Sequence, residues 1–117
     1  MSTYALLLNH APDRYSDLSD DEYMAIIKDY VAWVEELTAQ GIYKDGHKLF
    51  PKAGKTLTSK AGAIEVHDSP FAELTEVLGG LMLLQADSFE HAIEIAKTCP
   101  HMVHNQSLEI REVDSLE

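Results

Sequence analysis

The chain has 117 residues, of which 45% are hydrophobic, and this length and composition predict a single globular domain over residues 1–117. Nine basic residues stand against twenty acidic ones, and a net charge of −11 repels phosphate backbones, so we expect no nucleic-acid partner. There is no signal-peptide pattern, no apolar run near the roughly 18 residues of a membrane span, and a single cysteine. We therefore expect a cytoplasmic protein without membrane contact or internal disulfide.

The N-terminal part of the chain predicts one strand followed by one long helix. Residues 4–9 are apolar at both odd and even positions, which is typical of a strand buried on both faces. Ser19 and Glu22 have the spacing of a capping box, and Gly41 supplies a helix end. Between them, apolar residues recur at three- and four-residue steps and form one stripe. This stripe consists of Tyr23, Ile27, Tyr30, Val34 and Leu37, widened by Ile26 and Trp33.

The middle of the chain predicts a hairpin and then a buried strand. Residues 55–58 and 63–66 are strand-like segments on either side of a Lys-Ala-Gly turn. Residues 81–84 form a continuous apolar run of strand length. Gly79 and Gly80 precede this run, and we expect them to allow either a close backbone approach or a bulge where the strand begins.

The last part of the chain predicts a second helix and a final strand. Asp87 or Ser88 caps the helix, and Pro100 ends it. We expect its inward side chains to be Phe89, Ile93 and Ala96. We expect the ferredoxin-like β-α-β-β-α-β arrangement of an α+β protein, with the β-hairpin as an insertion.

In this arrangement both helices lie on one face of a four-stranded antiparallel sheet. The first and third strands are apolar on both faces, so the second face also requires a cover, because monomers rarely expose several hundred Å² of apolar surface. A homodimer formed through the sheet face is the prediction we favour. The alternative is that residues 42–67 fold over the sheet.

The final strand places charged residues toward this second face. Leu108 and Ile110 should face the helices, so that Glu109 and Arg111 point to the other side. The guanidinium of Arg111 could hold a carboxylate or an enolate oxygen of a ligand. Alternatively, the pair forms an ion pair across the dimer or faces solvent.

Five segments together carry a resemblance to a known family. Residues 67–73 read His-Asp-Ser-Pro-Phe-Ala-Glu, residues 99–102 read Cys-Pro-His-Met, and residues 110–113 read Ile-Arg-Glu-Val. With residues 4–9 and 46–49, they resemble the YCII-related family, which is known for an Asp-Gly-Pro-Phe signature. The resemblance implies a small dimeric α+β barrel. It also implies a link to a dehydrochlorinase of chlorinated, hydroxylated aromatic rings.

Candidate catalytic residues follow from the acidic loop and the end of the second helix. His101 matches the family's histidine and could act as a general base, with Asp68 orienting or neutralising its imidazolium. Arg111 could hold developing negative charge, and Glu73 is a second acid after the Pro-Phe turn. A histidine in this position can instead merely cap the last carbonyls of a helix. His10 follows the first strand, near the mouth of any cavity that the sheet forms.

No zinc spacing, phosphate loop or nucleophile motif accompanies these residues, and we predict neither a cofactor nor a metal. A metal held by His101, Asp68 and another histidine is the alternative. Cys99 lies among apolar helix residues and should pack as a small hydrophobic side chain.

Two functions are compatible with these residues. The first is a cofactor-independent enzyme that performs acid–base chemistry on a small-molecule ligand, compact and oxygenated or aromatic, with an Asp/His pair. The second is a non-catalytic ligand-binding or regulatory dimeric module. A carboxylate and a histidine within hydrogen-bond reach in a closed pocket would favour the enzyme.

Overall fold

The computed structural model describes residues 1–50, 54–68 and 76–114 of the chain. It is an α+β protein, as predicted. Within the described part of the chain, no helix combines the length and the hydrophobicity needed to cross a bilayer. The elements, in chain order, are β1 Ser2–His10, α1 Asp20–Ala39, β2 Tyr43–Lys48, β3 Lys55–Lys60, β4 Ala63–Asp68, β5 Val77–Ala86, α2 Phe89–Ala96, α3 Pro100–Val103 and β6 Ser107–Glu112.

Four strands form an antiparallel sheet in the order β2-β5-β1-β6, and β3 and β4 form a separate hairpin. With the hairpin set aside, the chain has the ferredoxin-like β-α-β-β-α-β arrangement. The edge strand β2 was not predicted, because its sequence Tyr-Lys-Asp-Gly-His-Lys shows no apolar alternation. The backbone of β2 pairs with β5, and this pairing, rather than any pattern of its side chains, places β2 in the sheet.

The helices cover one face of this sheet and form the core there. Leu6 and Leu84 are fully buried, and they pack in one cluster with Trp33 and Leu37 of α1. The prediction for α2 was partly wrong. Its buried side chains are Ala92, Ile95 and Ala96, whereas Phe89 and Ile93 are 39% and 37% exposed.

The helix ends agree with the capping signals, with one correction. Ser19 and Glu22 form the capping box of α1, Ser88 caps α2, and Gly41 has φ +75° just after α1. Pro100 does not simply end α2, which already stops at Ala96. It starts the short helix α3, in which a proline at the first position loses no hydrogen bond. His101 therefore lies inside a helical turn.

No helix of the described residues covers the opposite sheet face. It carries Ala5 and Leu7 of β1 opposite Leu83 and Leu81 of β5, all partly buried. Glu109 and Arg111 lie on this same face, since they pair with Leu7 and Ala5. The hairpin does not supply the cover, because its own apolar side chains are exposed: Leu57 63%, Ile64 68% and Val66 62%.

A bulge interrupts the pairing of β1 with β5 at the paired glycines. Leu8 lies opposite Gly80 and Asn9 opposite Leu78, so Gly79 is the extra residue. A Cβ atom on Gly79 would lie 2.2 Å from Cδ2 of His10. Only glycine leaves room for this ring, so both predicted uses of the glycine pair, a bulge and a close approach, occur here.

Candidate functional site

A cavity of about 330 Å³ lies between the middle of α1, from Ile27 to Glu35, and the sheet. Leu8, Ile27 and Val34 are among its apolar walls, and His10 and His101 are among its polar ones. This volume is at the lower end of the range for small-molecule sites, roughly 300–1,000 Å³. A mostly apolar cavity with a few convergent polar groups is the usual form of a ligand-binding site.

Three polar side chains from different parts of the chain are hydrogen-bonded in line at this cavity. Arg14, in the loop after β1, donates from Nη2 to the Tyr30 hydroxyl at 2.9 Å. The Tyr30 hydroxyl lies 2.5 Å from Nδ1 of His101. The phenol oxygen accepts from the guanidinium, which only donates, and its own proton remains available to the unprotonated Nδ1 of a neutral His101. We call these three residues the Arg14–Tyr30–His101 chain.

His101 is held in its neutral form by its surroundings. It is 4% exposed, and burial, with the nearby positive charge of Arg14, lowers its pKa to about 4. A hydrogen bond to the backbone of Asn9 acts to raise this pKa. Within the described residues, however, Nε2 is buried and has no hydrogen-bond partner of acceptable geometry.

Tyr30 is the central group of the chain and carries two opposing influences. Burial raises the pKa of its phenol, while the hydrogen bond and the charge of Arg14 act to lower it. The His104 ring stacks on Tyr30 at 6.2 Å between centroids, and His104 in turn bonds Asp29 at 3.1 Å. Tyr30 is therefore positioned by contacts on both its ring and its hydroxyl.

His10 forms a second polar wall of the cavity. Its Nδ1 lies 2.7 Å from the carbonyl oxygen of Ala11. A carbonyl only accepts, so Nδ1 carries the proton and Nε2 has the lone pair. The ring packs edge-to-face on Tyr15, and Gly79 leaves it the space that any side chain would fill. The position predicted for His10, at the mouth of a cavity, agrees with this geometry.

The structure does not bring the other predicted catalytic residues to His101. Asp68 is at the end of β4, where its side chain is 91% exposed and bonds Lys55 at 2.5 Å, which lowers its pKa. Arg111 lies on the open sheet face and bonds Glu109 at 3.3 Å. Glu73 lies outside the described residues. A pair of Asp68 and His101 stays a prediction, and no contact of the described residues supports it.

The remaining candidates have other surroundings. Cys99 is fully buried, and burial raises the pKa of its thiol to about 11, so it packs as an apolar side chain as predicted. His47 and His91 are close to Asp45 and Asp87, respectively, at the surface. In the described ranges, no three His, Cys, Asp or Glu side chains converge as metal ligands would.

Sequence reasoning missed Arg14 and Tyr30 as functional residues. Tyr30 belongs to the apolar stripe of α1 and was interpreted as a core residue, while Arg14 lies in a polar loop without a motif. One signal was available: a tyrosine on an otherwise apolar stripe needs a partner for its hydroxyl when it is buried.

Comparisons with known proteins agree with this fold. The chain is similar to the solved structure of 5-chloro-2-hydroxyhydroquinone dehydrochlorinase (TftG) from Burkholderia phenoliruptrix AC1100 in complex with 2,5-dihydroxybenzoquinone. The likeness has a TM-score of 0.51 and 15% sequence identity, covers 96% of this chain and 93% of that one, and shows a shared fold. Curated proteins gave no significant sequence match. The model of the YCII-related domain matches residues 2–116, and the chain therefore belongs to the YCII-related family.

Proposed function

We propose that this protein is an enzyme that performs acid–base chemistry, with its own side chains, on a compact oxygenated ring compound bound between α1 and the sheet. The observation that carries the proposal is the Arg14–Tyr30–His101 chain at the wall of an apolar cavity. The dehydrochlorinase with the same fold was solved with 2,5-dihydroxybenzoquinone, a six-membered ring with oxygen substituents. A ligand of this class suits a cavity of about 330 Å³.

The chain of hydrogen bonds orients the Tyr30 hydroxyl for proton exchange with the ligand. The Tyr30 hydroxyl can give its proton to a ligand oxygen and take one back from a ligand hydroxyl. Arg14 would stabilise the tyrosinate formed in between, since it already donates to that oxygen. Burial and the charge of Arg14 lower the pKa of His101 to about 4, so the ring stays neutral and its Nδ1 positions the Tyr30 hydroxyl as a hydrogen-bond acceptor.

His10 would act on the ligand from the adjoining wall. Its Nδ1 proton is used by the Ala11 carbonyl, which leaves the lone pair of Nε2 to accept a hydrogen bond or a proton from the ligand. Acid–base roles for Asp68 and Arg111 would require the ligand or a second copy of the chain to bring them to the cavity.

The proposal is tested by turnover and binding measured on the same variants. Chlorinated hydroxyhydroquinones would be supplied as substrates, with chloride release followed, and 2,5-dihydroxybenzoquinone would be titrated by calorimetry. Tyr30→Phe keeps the ring and removes the hydroxyl, and we expect kcat to fall by about 10²–10⁴ while the Kd of 2,5-dihydroxybenzoquinone changes little. His91→Gln, at an exposed histidine of α2, is the matched control and should keep kcat unchanged.

Two outcomes would contradict this function. Equal kcat in the wild type and in Tyr30→Phe would remove Tyr30 from the chemistry. Binding of 2,5-dihydroxybenzoquinone without turnover of any ring substrate would favour the alternative, a ligand-binding module.

We also propose that the protein is a homodimer joined through its open sheet face. The support is the apolar patch of Ala5, Leu7, Leu81 and Leu83, which no helix and no hairpin side chain covers in the described residues. Leu83→Asp should convert the dimer to a monomer near the 13.0 kDa chain mass in light scattering after size exclusion. Val103→Asp, at a 79% exposed site on α3, should leave the dimer intact. A wild type of monomer mass would contradict the proposal.

A further inference from the structure

Two cations meet at a single aromatic ring at one end of the cavity. The guanidinium carbon of Arg14 is 5.2 Å from the centre of the Tyr15 ring, and Nζ of Lys48 is 5.1 Å from the same centre. Arg14 is also 5.5 Å from the Tyr30 ring, and Lys48 is 5.7 Å from the Tyr23 ring. The loop after β1 and the edge strand β2 thus deliver positive charge to one cluster of tyrosines.

These cations have no salt-bridge partner in the described part of the chain. Among the described residues, three Lys or Arg side chains form salt bridges, and neither Arg14 nor Lys48 is one of them. Arg14 has five N–H donors, yet its one side-chain hydrogen bond in the described ranges goes to Tyr30. In a protein of net charge −11, two neighbouring cations without a carboxylate are unexpected, since acidic side chains are abundant.

Glu35 is the one carboxylate among the described residues that line the cavity. It forms no salt bridge with Arg14 or Lys48 in the described ranges. It lies five residues beyond Tyr30 on α1, which corresponds to about 7.5 Å along the helix axis. The neighbouring walls are mostly apolar and include Ile27 and Val31. The cavity therefore combines two cations and the Tyr15 ring with an apolar wall.

We propose that Arg14 and Lys48 form an oxyanion-binding subsite, which makes the ligand of this cavity a compact ring compound with one anionic oxygen group. The ring would lie in the apolar part, and its carboxylate or deprotonated hydroxyl would sit between the two cations. Arg14 is partly buried and can bind two oxygens with its planar fork, whereas Lys48 is exposed and more screened by solvent. Arg14 is expected to contribute more to binding than Lys48.

The subsite rests on the proposed function, because it names the ligand class of the same cavity. It also explains the position of Tyr30, which bonds the same guanidinium. An anionic oxygen held by Arg14 would lie next to the Tyr30 hydroxyl, so the group that binds charge and the group that moves the proton would be adjacent.

Calorimetric titration with two matched probes tests the subsite. The first is 2-naphthoate, an anion at neutral pH, and the second is 2-naphthamide, a neutral isostere. We expect the wild type to prefer naphthoate and to lose this preference as salt is raised. Arg14→Gln should weaken naphthoate binding about tenfold and Lys48→Gln about threefold, with naphthamide binding unchanged. Lys28→Gln, at an exposed site on the same helix outside the cavity, is the control and should change neither.

Three results would overturn the subsite. They are equal affinity of the wild type for both probes, no binding of either probe, and equal weakening of both probes in Arg14→Gln and Lys48→Gln. None of these decides the proposed function, which is judged by the turnover of Tyr30→Phe. A neutral ligand class would leave the proton chemistry of Tyr30 and His101 in place.

Discussion

Two neighbouring rows of side chains on α1 face inward but have different surroundings. In one row, Trp33 and Leu37 are buried in the core, and Trp33 also donates to the Thr98 hydroxyl at 2.8 Å. In the other row, Ile27, Tyr30 and Val34 belong to the same apolar stripe but border the cavity. An apolar stripe on a helix thus specifies which face is turned inward, and the packing beneath it decides whether this face forms core or a ligand site.

The largest expected effect tests this contrast directly. Leu84→Ala removes a fully buried side chain from the cluster that contains Trp33 and Leu37, and it should cost about 2–5 kcal/mol of unfolding free energy. Ile27 borders a space that is already open, so Ile27→Ala creates little new cavity and should cost roughly 1 kcal/mol or less. Urea denaturation of both variants measures the difference. Equal losses would show that the row bordering the cavity is packed as tightly as the core row.

The second prediction uses pH to detect the burial of His101. Its pKa is about 4 in the folded state and about 6.5 when unfolded, so between these values the unfolded chain binds more protons. Stability should therefore fall as pH decreases from 6.5 to 4, by about 3 kcal/mol from this group. The penalty is complete below pH 4 and absent above 6.5.

His101→Asn removes the titrating ring and should flatten this part of the pH profile, whereas His91→Asn, at a surface site, should leave its slope unchanged. Denaturation at a series of pH values provides the measurement. If His101→Asn has the slope of the wild type, His101 is not buried in its neutral form.

The third prediction concerns the wall formed by His10. Gly79→Ala would place a methyl group 2.2 Å from the His10 ring, which must move, and we expect a cost of about 1–3 kcal/mol together with shifted ring signals of His10 in NMR spectra. Leu78→Ala changes the neighbouring residue, which is 46% exposed, and should have a small effect on both. Unchanged His10 signals in Gly79→Ala would mean that the bulge does not position the ring.

The smallest expected effect distinguishes the predicted Asp68–His101 pair from the Asp68–Lys55 contact in the structure. If Asp68 and His101 were a pair, Asp68→Asn would shift the titration of His101. Because Asp68 is exposed and bound to Lys55, we expect no shift, and a stability change within about 0.5 kcal/mol. An NMR titration of the His101 ring protons decides the matter. A shift would place Asp68 next to His101 in the functional protein.

Local signals in the sequence account for most of the fold that was predicted correctly. Ser19 and Glu22 satisfy backbone donors one turn away, and Gly41 provides the positive φ at a helix end, so their effects need no distant partner. Strand β2 was missed for the opposite reason. It is held by backbone hydrogen bonds to β5, and its sequence lacks the alternation of apolar and polar residues that would indicate a strand.

The family and the α+β class follow from the sequence alone, which also predicted a site role for His101 and a bulge or close approach at the paired glycines. Only the tertiary structure decided which groups surround His101, because hydrogen bonds between residues 16 and 71 positions apart depend on how α1 and α3 lie against the loop after β1. From the sequence alone, Tyr30 is predicted to be a core residue in a helical stripe, and Arg14 a loop residue. They become one hydrogen-bonded chain because folding places both beside a cavity, where a buried hydroxyl and a guanidinium must find partners away from water.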